Sequence, residues 1–383
     1  MTRMVNFDIV HERRGTGSSK WSKYPGDVLP MWVADMDFPA APEIVEAIRN
    51  RLEHPLLGYG VARDELRAQI VADMQEKFNW TILPEEIVFL PGVEPGFNMA
   101  LKAMLQPGDG VLVQTPVYRP ILNAPAHWGL KRIEAPLTAT DAGYVMDRDA
   151  FAGKLAQSKA LLLCNPQNPT GKVFTREELT DIAALCRRND TLIISDEIHC
   201  ELLFDGRHHI PIASISDDAA ERTITLMAAS KTYNIAGLKT AFAIIKNKAM
   251  RETFAQSRLG MVDSVNILGL EATLAALSSA GKWKTDMLSY IAANRDHLSA
   301  EIARRFPAIR LIKAEGTFLA WLDCTALGLS PDPQTHFLNQ GKVGFSAGSE
   351  FGDGYGNFIR FNFGCPRQLL DDALERMEQA LEG

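Results

Sequence analysis

Short, continuous apolar runs recur through the middle of the chain and alternate with stretches of helical spacing. In chain order the runs are EIVFLPG, GVLVQTP, KALLLCNP, TLIISDE, TITLMAAS and TAFAIIKN. An apolar run bounded by turn residues is typical of a strand buried on both faces, as in parallel sheets covered by helices. The alternation therefore predicts an α/β fold with a layered, mostly parallel sheet between helices.

Helical spacing covers residues 63–78, before the first of these runs. After the last run the pattern changes, and a longer helical region covers roughly residues 264–306. Weaker strand signals follow in IRLIKAEGTFLAWLD and GNFIRFNF. We predict an N-terminal segment (1–50) that joins a small domain, a large domain (51–270) and a small C-terminal α+β domain (271–383).

Bulk properties exclude several classes of function. The 383 residues carry a net charge of −7, so no sequence-wide basic field attracts nucleic acid or anionic lipid. Apolar runs are too short to span a membrane, and neither a zinc-ligand spacing nor an HExxH motif occurs. Five scattered cysteines without a CxxC pair are typical of reduced thiols. We predict a cytoplasmic protein that binds no metal, nucleic acid or membrane.

Polar residues follow the apolar runs, where open α/β sheets bind ligands. The tails PGVEPGF, TPVYRP, CNPQNPTG, DEIHCE and SKTYNIAGLK hold a phosphate-loop candidate, an aromatic, an amide, an acid and a lysine. Taken alone, Lys231 in the last tail is most simply a surface lysine. In a partly desolvated cleft, however, its pKa would fall and its amine could act as nucleophile and base. Together with the other residues of these tails, Lys231 is more simply interpreted as a catalytic lysine than as a surface lysine.

These motifs carry a family resemblance along essentially the whole chain. NPQNPTG, then Asp196 at a strand end, then Ser230 and Lys231, resemble the fold-type I pyridoxal-phosphate enzymes of the aspartate aminotransferase superfamily. The segments LPMWVADMDFP and SDEIHCEL resemble, more narrowly, the MalY/PatB group of cystathionine β-lyases. The resemblance implies a large domain with a seven-stranded-type sheet and a smaller α+β domain.

The resemblance also implies pyridoxal 5′-phosphate (PLP) as cofactor. Lys231 would condense with the cofactor aldehyde, and Asp196 would hydrogen-bond the pyridine nitrogen and hold its proton. Asn168 would bind the phenolic oxygen, where a turn asparagine is the simpler alternative. His199 stands where many aminotransferases have a tyrosine that donates to the same oxygen, so its charge near pH 7 matters; a packed core histidine is the alternative.

The cofactor phosphate is expected at the start of a helix. The resemblance places it at Gly92 and the amides of Val93 and Glu94, because helix N-termini bind anions. Ser230 and Lys239 would complete this phosphate site, Lys239 replacing an arginine of many relatives. Glu94 departs from the apolar residue that relatives usually have, and we expect its side chain to point away from the phosphate.

Further positions match residues at the cofactor ring and the substrate. Tyr118 corresponds to the aromatic that stacks on the pyridine ring. Arg360 corresponds to the arginine that binds the substrate α-carboxylate, with the backbone of Val33 and Ala34 on the same side of the pocket. Arg119 departs from the tyrosine of many lyase relatives and would alter the substrate pocket.

Tyr59, in LGYGVA, matches a tyrosine that reaches the phosphate of the partner subunit. The resemblance therefore implies a homodimer with active sites built at the interface. A loop tyrosine that packs locally is the alternative.

The predicted activity is α,β-elimination from L-cystathionine or related L-cysteine S-conjugates, giving thiol, pyruvate and ammonia. A class I/II aminotransferase uses the same residues and remains an alternative, as does a chiefly regulatory protein. The segment GFSAG (344–348) also fits the nucleophile-elbow motif of α/β-hydrolases. That fold needs its histidine after the serine, and the last histidine, His336, precedes Ser346. We therefore interpret GFSAG as a loop before the Arg360 strand.

Overall fold

The computed structural model describes residues 5–141 and 143–382. Its helices are α1 (Ser19–Ser22), α2 (Pro42–Leu52), α3 (Asp64–Phe78), α4 (Val93–Met104), α5 (Arg119–His127), α6 (Arg148–Leu155), α7 (Arg176–Arg188), α8 (Asp217–Glu221), α9 (Lys248–Gln256), α10 (Ile267–Ser279), α11 (Gly281–Arg305), α12 (Pro333–Gln340) and α13 (Arg367–Glu382). Its strands are β1 (Leu29–Pro30), β2 (Ile87–Leu90), β3 (Gly110–Val113), β4 (Lys131–Glu134), β5 (Leu137–Thr140), β6 (Gly143–Met146), β7 (Ala160–Cys164), β8 (Leu192–Asp196), β9 (Thr223–Met227), β10 (Ala241–Ile244), β11 (Arg310–Leu311), β12 (Leu319–Asp323), β13 (Val343–Gly344), β14 (Ser346–Ala347) and β15 (Phe358–Asn362). Short 3-10 helices cover Pro84–Glu86, Ile212–Ser214, Ala236–Leu238, Thr325–Leu327 and Gly348–Phe351.

The central sheet has seven strands in the order β2-β10-β9-β8-β7-β3-β4. Strand β10 is antiparallel to both of its neighbours, and the other pairs are parallel. All six apolar runs form strands of this sheet, and β3, β7, β9 and β10 are buried along their whole length. The predicted α/β fold with a mostly parallel sheet is confirmed.

A second sheet, in the order β11-β12-β15-β14, is antiparallel. The N-terminal segment reaches this part of the molecule through β1, which pairs in parallel with β13. The helical region predicted over 264–306 is two helices, α10 and α11, that meet at Ala280. The domain bounds at residues 50 and 270 stay a prediction.

In the part of the chain that the structure describes, no helix is both long enough and apolar enough to cross a membrane.

Candidate active site

A cavity of about 640 Å³ lies at the carboxyl ends of the central strands. Such a volume is within the usual range for a small-molecule site. The sequence-predicted residues that line it are Val33, Ala34, Gly92, Val93, Glu94, Tyr118, Arg119, Asn168, Asp196, His199, Ser230, Lys231, Lys239 and Arg360. Trp32, Ser346 and Glu350, for which the sequence predicted no role, line it as well.

Lys231 follows β9 and turns its amine toward the N-terminal segment. Its Nζ donates a hydrogen bond of 2.7 Å to the carbonyl oxygen of Ala34. Burial, and next the positive charge of Arg360, lower the pKa of Lys231 to about 8. A substantial neutral fraction of this amine therefore exists near neutral pH, as nucleophilic or basic chemistry requires.

Asp196 is the last residue of β8 and is almost fully buried. Its Oδ1 accepts a hydrogen bond of 3.1 Å from the amide of Ile198. Burial raises the pKa of Asp196 to about 7, although this hydrogen bond and the charge of Lys231 oppose the rise. A donor or cation placed in the cavity would stabilise the ionised carboxylate.

Arg360, from β15, is buried and held by three oxygens. Its NH1 donates to Asn168 Oδ1 at 3.0 Å, and its NH2 donates to the Trp32 carbonyl at 2.8 Å and to Ser346 Oγ at 3.2 Å. Burial lowers the pKa of Arg360 to about 10. Among the described residues its Nε has no hydrogen-bond partner. A carboxylate bound in the cavity would supply the missing anion.

Ser346 corrects the interpretation of GFSAG as a loop. Ser346–Ala347 form strand β14, which pairs with β15 and places Ser346 opposite Arg360. The hydroxyl donates to the Trp32 carbonyl at 2.8 Å and accepts from Arg360. The serine of the apparent nucleophile motif therefore positions an arginine. Two-residue strands have no detectable period, so the sequence gives little signal for this contact.

His199 is buried, with its ring edge-on to Phe318 at a centroid distance of 6.1 Å. Burial, followed by the charges of Lys231 and Arg360, lowers the pKa of His199 to about 3. The ring is therefore neutral near pH 7 in the absence of ligand. Its Nδ1 has no hydrogen-bond partner among the described residues.

The start of α4 provides an anion site. Gly92 precedes the helix, and the amides of Val93 and Glu94 come before the first intrahelical bond, from Gly96 to the carbonyl of Gly92. The Glu94 side chain is exposed, but its charge raises the pKa of both Tyr118 and Asp196. Its carboxylate therefore acts electrostatically on the cavity, and its direction relative to the phosphate stays a prediction.

Tyr118 and Arg119 lie at the start of α5. The amide of Tyr118 donates to the carbonyl of Asn168 at 3.0 Å, which ties this helix start to the NPQNPTG turn. In that turn Gly171 has a φ of +71°, and a Cβ there would lie 2.6 Å from Ala314 Cβ. Glycine is therefore required for this turn to pack against the segment before β12.

Two asparagines hold the N-terminal segment over Lys231. Asn234 donates to the carbonyls of Met36 and Phe38, and Asn362 donates to those of Val33 and Asp35. Sequence reasoning missed both residues. The available signal was their position inside two motifs already selected, SKTYNIAGLK and FIRFNF.

Tyr59 is 97% exposed and does not line this cavity. Its proposed contact with a partner subunit stays a prediction.

A reactive amine, a buried carboxylate and a buried arginine around one cavity define an enzyme site for a small carboxylate-bearing molecule.

The chain belongs to the aminotransferase class I and II family, which residues 27–377 match. It is 38% identical to cystathionine beta-lyase PatB of Bacillus subtilis (strain 168), over 98% of this chain and 100% of the relative. The crystal structure of OvoB is 42% identical, with a TM-score of 0.94, over 98% of this chain and 99% of that chain. The crystal structure of cystalysin from Treponema denticola, which contains PLP, is 32% identical with a TM-score of 0.95, over 99% of each chain. The predicted family is confirmed.

Proposed function

We propose that this protein is a PLP-dependent carbon–sulfur β-lyase that acts on L-cystathionine or related L-cysteine S-conjugates. The observation that carries the proposal is the grouping of Lys231, whose pKa is lowered to about 8, with Asp196 and Arg360 around one cavity. The likeness to PatB, named as a cystathionine beta-lyase, and to PLP-containing cystalysin supports it.

The cavity fits the cofactor. His199 Nδ1 and the two free amides at the start of α4 face no partner among the described residues, and Asp196 lacks a counter-charge strong enough to keep its pKa low. The residues that would hold the phosphate are Gly92, Val93, Glu94, Ser230 and Lys239. Those that would hold the ring and its substituents are Tyr118, Asn168, Asp196, His199 and Lys231.

Several residues of the chain have separate roles in the elimination reaction. Arg360 holds the substrate α-carboxylate, and its orientation is fixed by Asn168 and Ser346. The neutral amine of Lys231 takes the proton from the substrate Cα, at a position set by the Ala34 carbonyl. Asp196 keeps the ring nitrogen protonated. When bound, the cofactor supplies an electron sink for the pair left at Cα.

The products decide between the lyase and the aminotransferase. The holoenzyme incubated with L-cystathionine should release thiol and pyruvate in equal amounts. Accumulation of the aminated cofactor without thiol would instead assign an aminotransferase. Lys231→Ala should abolish turnover because it removes the amine assigned to take the Cα proton, and full activity in that variant would overturn the scheme.

We also propose a cytoplasmic homodimer. Leu56, Leu57, Tyr59 and Val61 form an apolar segment that is 57–97% exposed in the single chain. An exposed apolar segment of this kind is typical of a surface that a partner covers. Five free cysteines support the cytoplasmic location.

A further inference from the structure

Two charged side chains at the cavity have no task in the reaction proposed above. Arg119 and Glu350 line the cavity. The other charged groups of cofactor and substrate already have proposed partners: the phosphate has Lys239, the α-carboxylate has Arg360 and the ring nitrogen has Asp196. Arg119 is exposed at the first position of α5, and Glu350 is partly buried in a 3-10 helix before β15. Both line the same cavity as Lys231 and Arg360, so a ligand bound there would lie near them.

A third charge, Lys23, lies beside them. Its Nζ is 3.9 Å from the ring centroid of Trp32, which lines the cavity, and 5.0 Å from that of Tyr24. Burial lowers the pKa of Lys23, the negative charge of Glu350 opposes this, and the charges of Arg119 and Arg360 add to it. Lys23 lies against Trp32 of the cavity lining, and Arg119 and Glu350 line the same cavity; we call these three residues the mouth cluster.

The mouth cluster has no ion-pair partner in the part of the chain that the structure describes. None of its three members forms an ion pair with any of the residues that the structure describes. Nearby in the sequence, Lys20 is fully buried and paired with Asp37 at 2.6 Å, so this segment does pair its charges where they serve structure. Charges left free around a cavity are available to a ligand.

We infer that the mouth cluster binds a zwitterionic amino-acid group at the far end of the sulfur substituent. Arg119 and Lys23 bind its carboxylate, and Glu350 binds its ammonium group. Glu94, the other acid that lines the cavity, lies in the first turn of α4, at the proposed phosphate site. The substrate class is then cysteine conjugates with an amino acid on each side of the sulfur, in preference to simple S-alkyl cysteines. This inference rests on the proposed function.

Steady-state kinetics with two conjugates test the inference. L-Cystathionine carries the distal zwitterion, and S-butyl-L-cysteine has a neutral chain of similar length. We expect Arg119→Gln and Glu350→Gln each to lower the ratio of kcat/KM for L-cystathionine to kcat/KM for S-butyl-L-cysteine by about tenfold. This is the size of effect expected from the loss of one charge-assisted hydrogen bond. Arg188→Gln, on the exposed face of α7, removes a positive charge away from the cavity and should keep the wild-type ratio.

Binding of uncleavable ligands separates this inference from the proposed activity. Calorimetry on the holoenzyme compares 2,7-diaminosuberate, which replaces the sulfur of cystathionine by a methylene, with norleucine, which lacks the distal zwitterion. Each variant should weaken the binding of diaminosuberate, relative to the binding of norleucine, by about tenfold. An unchanged ratio overturns the inference, and so does an effect of Arg119→Gln alone, because a simple anion would then suffice. If neither conjugate is cleaved by the wild type, the proposed function fails while the binding ratio still decides this inference.

Discussion

The charge state of Lys231 is the residue-scale property on which the chemistry depends. Burial and the charge of Arg360 lower its pKa to about 8, so the reactive neutral amine predominates above that pH and the ammonium below it. We expect a small acylating reagent to label Lys231 of the cofactor-free protein half-maximally near pH 8, measured by peptide mass spectrometry. Exposed Lys248 in the same digest monitors the reagent. Half-labelling only near the ordinary lysine value of about 10.4 would contradict the prediction.

Ser346 hydrogen-bonds Arg360, and under the proposed function we expect it to support substrate binding without taking part in the chemistry. Ser346→Ala removes one hydrogen bond to Arg360 and one to the Trp32 carbonyl. We expect KM for cystathionine to rise about three- to tenfold with kcat largely retained, in line with the loss of modest hydrogen bonds. Exposed Ser349→Ala is the matched control. A lower kcat at unchanged KM would assign Ser346 to the chemical step instead.

Which site residues could be predicted from sequence follows from where they lie. Asp196 ends the buried strand β8, and Asn168 and Lys231 come four residues after the ends of β7 and β9. The carboxyl ends of parallel strands meet at one edge of the sheet. Their convergence was therefore predictable. Ser346 and Glu350 come from very short elements, whose position depends on tertiary pairing that has no sequence period.

At the scale of elements, the same reasoning explains one missed strand and one undivided helix. Strand β4 has the sequence KRIE and lies at the sheet edge, with two residues exposed and two partly buried. An edge strand needs no continuous apolar run, and its charges discourage pairing with other chains. Helices α10 and α11 meet at Ala280–Gly281 without a proline, so periodicity extends across the break.

The N-terminal segment depends on a buried ion cluster of Arg13, Lys20 and Asp37, with Asp37 bonded to both cations at 2.6 Å. Burial raises the pKa of Asp37, but the charge and hydrogen bond of Lys20 and further donors lower it overall. A lowered folded-state pKa means that this stability is present above the ordinary carboxyl pKa and lost as the pH falls below it. Asp37→Asn leaves the buried ammonium of Lys20 without its anion.

We therefore expect Asp37→Asn to lower the free energy of unfolding near pH 7 by about 3–5 kcal/mol in urea titrations. The difference from the wild type should shrink as the pH is lowered from about 5 to about 3, because the wild type then loses the same interaction. Asp27→Asn, at an exposed position, should change little at any pH. A difference that stays constant across this pH range would show that the charge of Asp37 is not what stabilises the segment.

At the scale of the whole molecule, the single chain places every predicted site residue at the cavity except Tyr59. If Tyr59 completes the site of a partner, each active site combines Lys231 of one subunit with Tyr59 of the other. The dimer would then be required for cofactor binding as well as for covering the apolar segment 56–61.

Mixing two inactive proteins tests this arrangement. Lys231→Ala removes the reactive amine, and we expect Tyr59→Ala to lose activity by weakening the hold on the phosphate. After dissociation and random reassociation, half of the dimers are mixed, and each mixed dimer has one site with both native residues. Activity should therefore recover to about a quarter of the wild-type value, whereas each variant treated alone recovers none. If Tyr59 acts only within its own chain, the mixture shows no more than the average of the two variants, and the shared active site is excluded.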